Sequence, residues 1–220
     1  MSRVAIPYML IKLHVHSQPP HPTGRSRLGP TGQADSERMD PTDQTPEEAF
    51  SVWALPPEPV RDRLRRLMAA LRSTLGGPAF EPHLTVVGAI RLRRSAAVEA
   101  LRAAAAGVRP YTARFAGDHR GFYHRGHLVV EPAAEVMAAS DHCCDHFGYQ
   151  RPTSYKPHIG LIYSDRAEKE EDEGRKKVEE LDKDIRGLQF EISELALYKT
   201  EPGDVESWEL VETCCLTGSD

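Results

Sequence analysis

The sequence contains no apolar run approaching the roughly 18 residues that a bilayer-crossing helix requires, which excludes a helical membrane span. No apolar stretch with a small-residue cleavage site marks a secretory signal. Cysteine is scarce: the four residues fall as two adjacent pairs, Cys143-Cys144 and Cys214-Cys215, and read as reduced cytosolic thiols. A bridge between the pairs requires the fold to bring them within about 7 Å. Acidic residues are absent before Asp35, so Arg3, Lys12, Arg25 and Arg27 make the start basic. The formal net charge of -5 therefore understates how acidic the rest of the chain is. A body of that sign with no visible basic groove repels long nucleic acids. It remains compatible with a small phosphorylated ligand held by a few aimed donors. A cytoplasmic monomer is expected.

A metal signature is also missing. The segment "HCCDH" places His142 and His146 at i, i+4 on a predicted helix, a spacing that can bind zinc. It lacks the glutamate of a zinc-protease helix, and no third ligand is evident. His119, His124 and His127 are close in sequence, but in an extended hairpin they need not converge, and solvated loop positions are expected for them.

Residues 1–47 are rich in Pro, Gly, Ser and Thr, with no sustained apolar period, and are expected to be disordered. They resemble a transit peptide only weakly, and Met39 is a second candidate start of translation. Residues 48–220 read as one domain of alternating strands and helices. Val60, Leu64, Leu67, Met68, Leu71 and Leu75 form a helical stripe that Pro59 opens and Gly76-Gly77 closes. An Ala-rich helix near residues 95–106, a helix over 133–147 and a charged helix over 166–186, with Gly174 as a candidate bend, are interleaved with strands. The segments "HIGLIYS", "LQFEISELALYKT" and "SWELVETCCL" each read as one strand.

What is present is a repeat. "EPHLTVVG" and "KPHIGLIY" both run charge, Pro, His, apolar, small, apolar. Each follows a strand, a helix and a Gly-containing break, and Pro56 to His83 spans 27 positions against 26 from Pro132 to His158. Matching order at nearly equal length points to a duplicated lobe, with both histidine strands near a pseudo-twofold axis. Because residues two apart share a strand face, His83 and Thr85 point one way and Leu84 and Val86 the other. His158 and Gly160 share the corresponding face in the second copy. Histidine both accepts and donates protons near neutral pH, so two imidazoles across one strained cyclic phosphodiester can serve as base and acid without a metal or cofactor. The Thr85 hydroxyl can donate to a phosphate oxygen as charge develops. Trp53 on the strand that opens the first lobe faces either a nucleobase or ribose, or the core.

Taken together, "SVWALPPEPVRDRLRRLMAALRSTLGGPAFEPHLTVVGAI", "HFGY", "PHIGLIY" and "LALYKT" resemble the plant-type cyclic phosphodiesterases of the two-histidine phosphoesterase superfamily, from about Phe50 to the end. The resemblance implies a bilobal α+β fold around a central cleft, with His83 and His158 as catalytic residues. It implies substrates such as ADP-ribose 1″,2″-cyclic phosphate, a by-product of tRNA splicing, and nucleoside 2′,3′-cyclic phosphates. Tyr163 matches a site tyrosine of that family, although strict alternation puts it opposite His158 unless the strand bends or ends first. The family pattern is His-x-Thr/Ser twice, and Gly160 departs from it. One lost hydrogen bond to a charged group is worth roughly 1.5–3 kcal/mol, a tenfold to hundredfold weakening. The alternative is a degenerate module that binds nucleotide phosphates with little turnover. A Gly160→Ser change is expected to raise the rate if the missing hydroxyl is what matters.

Overall fold

In the computed structural model, residues 45–164 and 169–218 are described; apart from Thr45, Pro46 and Glu47, the extension expected over residues 1–47 lies outside them. The stripe from Val60 to Leu75 lies on one side of α1 (Glu58–Leu75), and all of its members are buried. Pro59 occupies the first turn, where its missing N–H costs nothing, and Gly76, at φ +76°, ends the helix. The strands on either side, β1 (Glu48–Ala54) and β2 (Leu84–Leu92), pair with each other antiparallel.

The chain continues through α2 (Arg94–Gly107), β3 (Tyr111–Arg114), β4 (Tyr123–His124), β5 (His127–Val129), α3 (Ala134–Phe147) and β6 (His158–Gly160). It ends with α4 (Glu171–Leu181), β7 (Gln189–Ile192), β8 (Glu194–Lys199), a 3-10 turn (Val205–Ser207) and β9 (Glu209–Cys215). A seven-stranded antiparallel sheet has the order β4-β5-β6-β2-β1-β8-β9, and β3 pairs with β7 separately. The second lobe repeats the first: β5, α3 and β6 stand as β1, α1 and β2 do, with the two strands again paired antiparallel. The lobes join where Leu84 of β2 opposes Ile159 of β6, each the residue after its histidine. This is the bilobal α+β architecture expected.

The two faces of the sheet differ. Val52, Leu84, Val86, Ile159, Leu195 and Leu197 pack against the helices in the main core. On the opposite face, Trp53, Leu55 and Ala196 form a small separate cluster with Tyr198 and Trp208 against it. Among the described residues no helix is long and apolar enough to cross a membrane.

Three expectations need correction. The strand expected over "HIGLIYS" stops at Gly160, because the following residues turn onto the end of α1. There Ser164 Oγ donates to the Leu75 carbonyl at 2.8 Å. A Cβ at Gly77 would sit 2.5 Å from the Tyr163 carbonyl oxygen, a close approach that only glycine at φ +103° permits. "LQFEISELALYKT" is two strands in two different sheets, broken at Ser193. Gly174 is no bend: it is buried within α4, where a Cβ would collide with the Tyr123 hydroxyl.

That contact yields a test. Gly→Ala inside a helix ordinarily stabilises by about 1 kcal/mol. Here the Tyr123 ring is 1 % exposed and cannot yield, so Gly174→Ala should lower the melting temperature by about 3–8 °C, measured by thermal unfolding.

Candidate active site

The Leu84–Ile159 pair fixes where the histidines point. Continuing that antiparallel register places His83 opposite Gly160 and Thr85 opposite His158, all on the face turned away from the main core. His83 and His158 are then diagonal neighbours, with Cα atoms about 7–8 Å apart.

The Pro-His repeat has a local purpose. His83 Nδ1–H donates to the Glu81 carbonyl oxygen at 2.6 Å, and His158 Nδ1–H donates to the Lys156 carbonyl oxygen at 2.7 Å. A carbonyl can only accept, so Nδ1 carries a proton in both rings and Nε2 is the atom left to take up or give one. Pro82 and Pro157 hold the intervening residue at the φ that lets ring and carbonyl meet. The Glu81 carboxylate is in turn gripped by Arg65 of α1 at 2.5 Å, tying this segment to the helix.

The surroundings of the two rings differ. His83 is 3 % exposed and stacks on Trp53, with centroids 3.5 Å apart and planes within 7°. Tyr198 also stacks on Trp53 at 3.7 Å, while Phe80 and Trp208 meet His83 edge-on at 6.1 and 6.3 Å. Burial pushes His83 down to about 4, against the opposing pull of the Glu81 carbonyl, and the charge of nearby His158 adds to the fall. His158 is exposed. Its ring packs against His127, centroids 4.6 Å apart and planes at 79°. His127 stands directly across from Gly160 on β5. It too is depressed to about 4, by burial first and by the charge of His158 second.

Gly160 is not bordered by empty space. A Cβ there would lie 3.2 Å from Tyr163 Oη, 3.4 Å from Tyr163 Cζ and 3.6 Å from Phe80 Cε2. Because β6 has ended, Tyr163 comes round to the histidine face, where Phe80 stacks on it at 4.4 Å. Thr85 is half-buried on the same face, and its carbonyl oxygen accepts from the Tyr155 hydroxyl at 2.9 Å.

The structure thus brings His83, Thr85, His158, Gly160 and Tyr163 together. Trp53 joins them differently from the nucleobase-facing reading: it is 2 % exposed and serves as the platform under His83. His127 departs from the solvated position expected for it, whereas His119 and His124 are exposed and reach Glu179 and Glu171 at 2.9 and 3.2 Å. The rings of His142 and His146 lie 4.6 Å apart, with no third ligand: no group of three or more metal-ligating side chains occurs among the described residues. His142 instead lines a cavity of about 600 Å³ with Val108, Arg109, Tyr111 and Glu135, none of them part of the histidine site. All four cysteines are free thiols, and burial pushes Cys143 up to about 12.

Trp208, Phe80 and His127 were not found from sequence. Trp208 meets Trp53, Phe80, His83 and Tyr163 at 65–77° between ring planes, standing across all of them. It is one of only two tryptophans in the chain, the one signal that could have drawn attention to it. Phe80, two residues before Pro82, carried no such signal.

Comparison with known proteins bears on the family and the fold. The chain is 36% identical over 178 residues to Cyclic phosphodiesterase of Arabidopsis thaliana, covering 79% of this chain and 98% of that protein. The crystal structure of E. coli LigT complexed with 3'-AMP superposes with a TM-score of 0.50 at 14% identity, over 78% of this chain and 99% of LigT. TT0787 of Thermus thermophilus matches with a TM-score of 0.50 at 16% identity, over 78% of this chain and 100% of that one. At those identities the two structures attest to the fold alone. The sequence signature of the 2'-5' RNA ligase superfamily spans residues 49–204, and with the duplicated lobe it establishes that the chain belongs to that superfamily, the two-histidine phosphoesterases.

Proposed function

We propose that the protein is a metal-independent hydrolase of cyclic phosphates, acting on ADP-ribose 1″,2″-cyclic phosphate to give ADP-ribose 1″-phosphate and on nucleoside 2′,3′-cyclic phosphates to give 2′-phosphates. The observation that carries the reading is the pair of Nδ1-anchored imidazoles on one sheet face, with different burial. Similarity over nearly the whole length of a curated cyclic phosphodiesterase supports the substrate class.

The difference in burial supports a division of roles. His83 is desolvated and therefore neutral, so its Nε2 can take the proton of an attacking water. The complementary role falls to the exposed His158, whose Nε2–H protonates the departing ring oxygen. Water forms the new P–O bond, the ring P–O bond breaks, one proton passes to His83 and one leaves His158, and the product is a phosphomonoester beside a free hydroxyl. Thr85, opposite His158, supplies a hydroxyl to a phosphate oxygen. Tyr163 Oη stands 3.2 Å from where a Cβ at Gly160 would be and supplies a hydroxyl in place of the missing second one. This favours catalysis over a binding module crippled at Gly160. Trp53 orients His83, while half-buried Trp208 and Phe80 offer the aromatic edge to a base or ribose.

Turnover of either cyclic phosphate should persist in EDTA and fall by on the order of 10²–10⁴ in His83→Ala and in His158→Ala, monitored by chromatography of the phosphomonoester. Binding without product in the wild-type chain would instead establish the module.

The pH profile tests the assignment of the base. His83 is depressed from 6.5 to about 4, so it stays neutral, and competent, down to that pH. The acid limb of kcat/KM should therefore fall near pH 4, and that of kcat should lie higher, because bound phosphate favours the charged ring. The same depression makes the unfolded chain bind the extra proton between about pH 6.5 and 4, so stability falls as pH falls through that window. Initial rates must be read before unfolding. An acid limb at 6–7 would remove His83 from the role of base.

Restoring the family pattern should not help. Gly160→Ser sets a Cβ 3.2 Å from Tyr163 Oη and pushes it back by a few tenths of an ångström, so kcat/KM should drop severalfold, whereas Tyr163→Phe should cost about tenfold to a hundredfold. A faster Gly160→Ser enzyme would show that the tyrosine does not fill that place.

A further inference from the structure

Each proposed catalytic imidazole is anchored through Nδ1, yet one hydrogen bond leaves a ring free to rock about it. His83 cannot rock, because Trp53 lies flat against it and Phe80 and Trp208 close its edges. Among the described residues His158 has no such casing: it is exposed, and the ring in contact with it is that of His127.

His127 is well placed to act as a brace. It begins β5, immediately after a turn whose residues Arg125 and Gly126 both have positive φ, 46° and 87°. Its Nδ1–H donates to the His124 carbonyl oxygen at 2.8 Å, across that turn. Its partner across the strands is Gly160, which puts its side chain on the catalytic face. Gly160 has no side chain of its own on the cross-strand row it shares with His83 and His127, and what lies against that position is Tyr163 Oη, 3.2 Å from where a Cβ would be. The His127 ring meets the His158 ring nearly at right angles, the arrangement that aromatic pairs prefer. Burial, with the charge of His158 second, holds His127 down to about 4, so the brace itself carries no charge near neutral pH.

We propose that His127 is a positioning residue that holds the His158 ring in line with the leaving oxygen by edge-to-face contact. This rests on the reading of His158 as the proton donor. His127 contributes a ring fixed by a tight turn, and neither its Nε2 nor its charge takes part in the chemistry. It thereby does for the exposed histidine what Trp53 does for the buried one.

The test compares His127→Ala, His127→Gln and His127→Phe in the full chain, with folding checked by thermal unfolding. Ala and Gln remove the ring, and each should lower kcat about tenfold to a hundredfold with KM within about threefold of wild type. Phe restores a ring without the nitrogen and should stand at least about fivefold above Ala in kcat. Where Ala does not fold, Gln against Phe carries the same comparison. The proposal is overturned if Ala or Gln stays within about twofold of wild type, if Phe is no better than they are, or if the loss lies in KM. A second readout does not need turnover. The His158 ring resonance, assigned by its disappearance in His158→Ala, should shift and broaden in His127→Ala or Gln and stay single in His127→Phe. A His158 signal unchanged by loss of the His127 ring defeats the proposal. A wild-type chain that turns over neither cyclic phosphate defeats the catalytic reading instead, and the resonance alone then decides whether His127 holds His158.

Discussion

One cross-strand pair, Leu84 with Ile159, is the joint on which the site depends. Each lobe alone is a short antiparallel unit with a histidine at the end of one strand, and such a unit does no two-handed chemistry. When the strands meet at the residues just after the histidines, side-chain alternation leaves no freedom: both rings must emerge on one face, diagonal to each other. A slip of one residue would turn one histidine into the main core. That slip is blocked because Leu84 and Ile159 are both fully buried among the helices on the opposite face. Ordinary hydrophobic burial on the back of the sheet thus sets the catalytic geometry on its front.

The duplication also shows how one local device can serve two ends. The same hydrogen bond, Nδ1–H to the carbonyl two residues upstream, fixes the tautomer of both rings. It cannot set their protonation, because that depends on solvent access. Trp53, Phe80 and Trp208 remove water from His83, and among the described residues no comparable wall surrounds His158. Two equal sequence motifs therefore hold one buried and one exposed imidazole, and the difference comes from side chains distant in the chain.

Gly160 shows the same principle. Beside its counterpart Thr85 it is a loss. In three dimensions its small volume admits the Tyr163 hydroxyl from the end of the strand, 3.2 Å from where a Cβ would be. The close approach of Gly77 to the Tyr163 carbonyl, and the bond from Ser164 to Leu75, bend the chain so that the tyrosine arrives there. The position beside Gly160 is thus occupied by a residue three places on, which helix α1 holds there.

Much was legible in the sequence because it is local. The apolar stripe of α1 from Val60 to Leu75, the strand-helix-strand repeat, the alternation that separates His83 from Leu84, and the type of chemistry that two imidazoles can perform all follow from spacing and residue type. Family membership followed from those same segments. Tertiary structure decided the rest: that β6 ends at Gly160, that Trp53 lies under an imidazole with no face open to a base, that Trp208 stands over the site, and that His127 meets His158. Each of these depends on which strand lies beside which and on what covers it. Periodicity reports the face on which a side chain emerges, but the neighbours it meets there are set by pairings between distant segments, which no local pattern encodes.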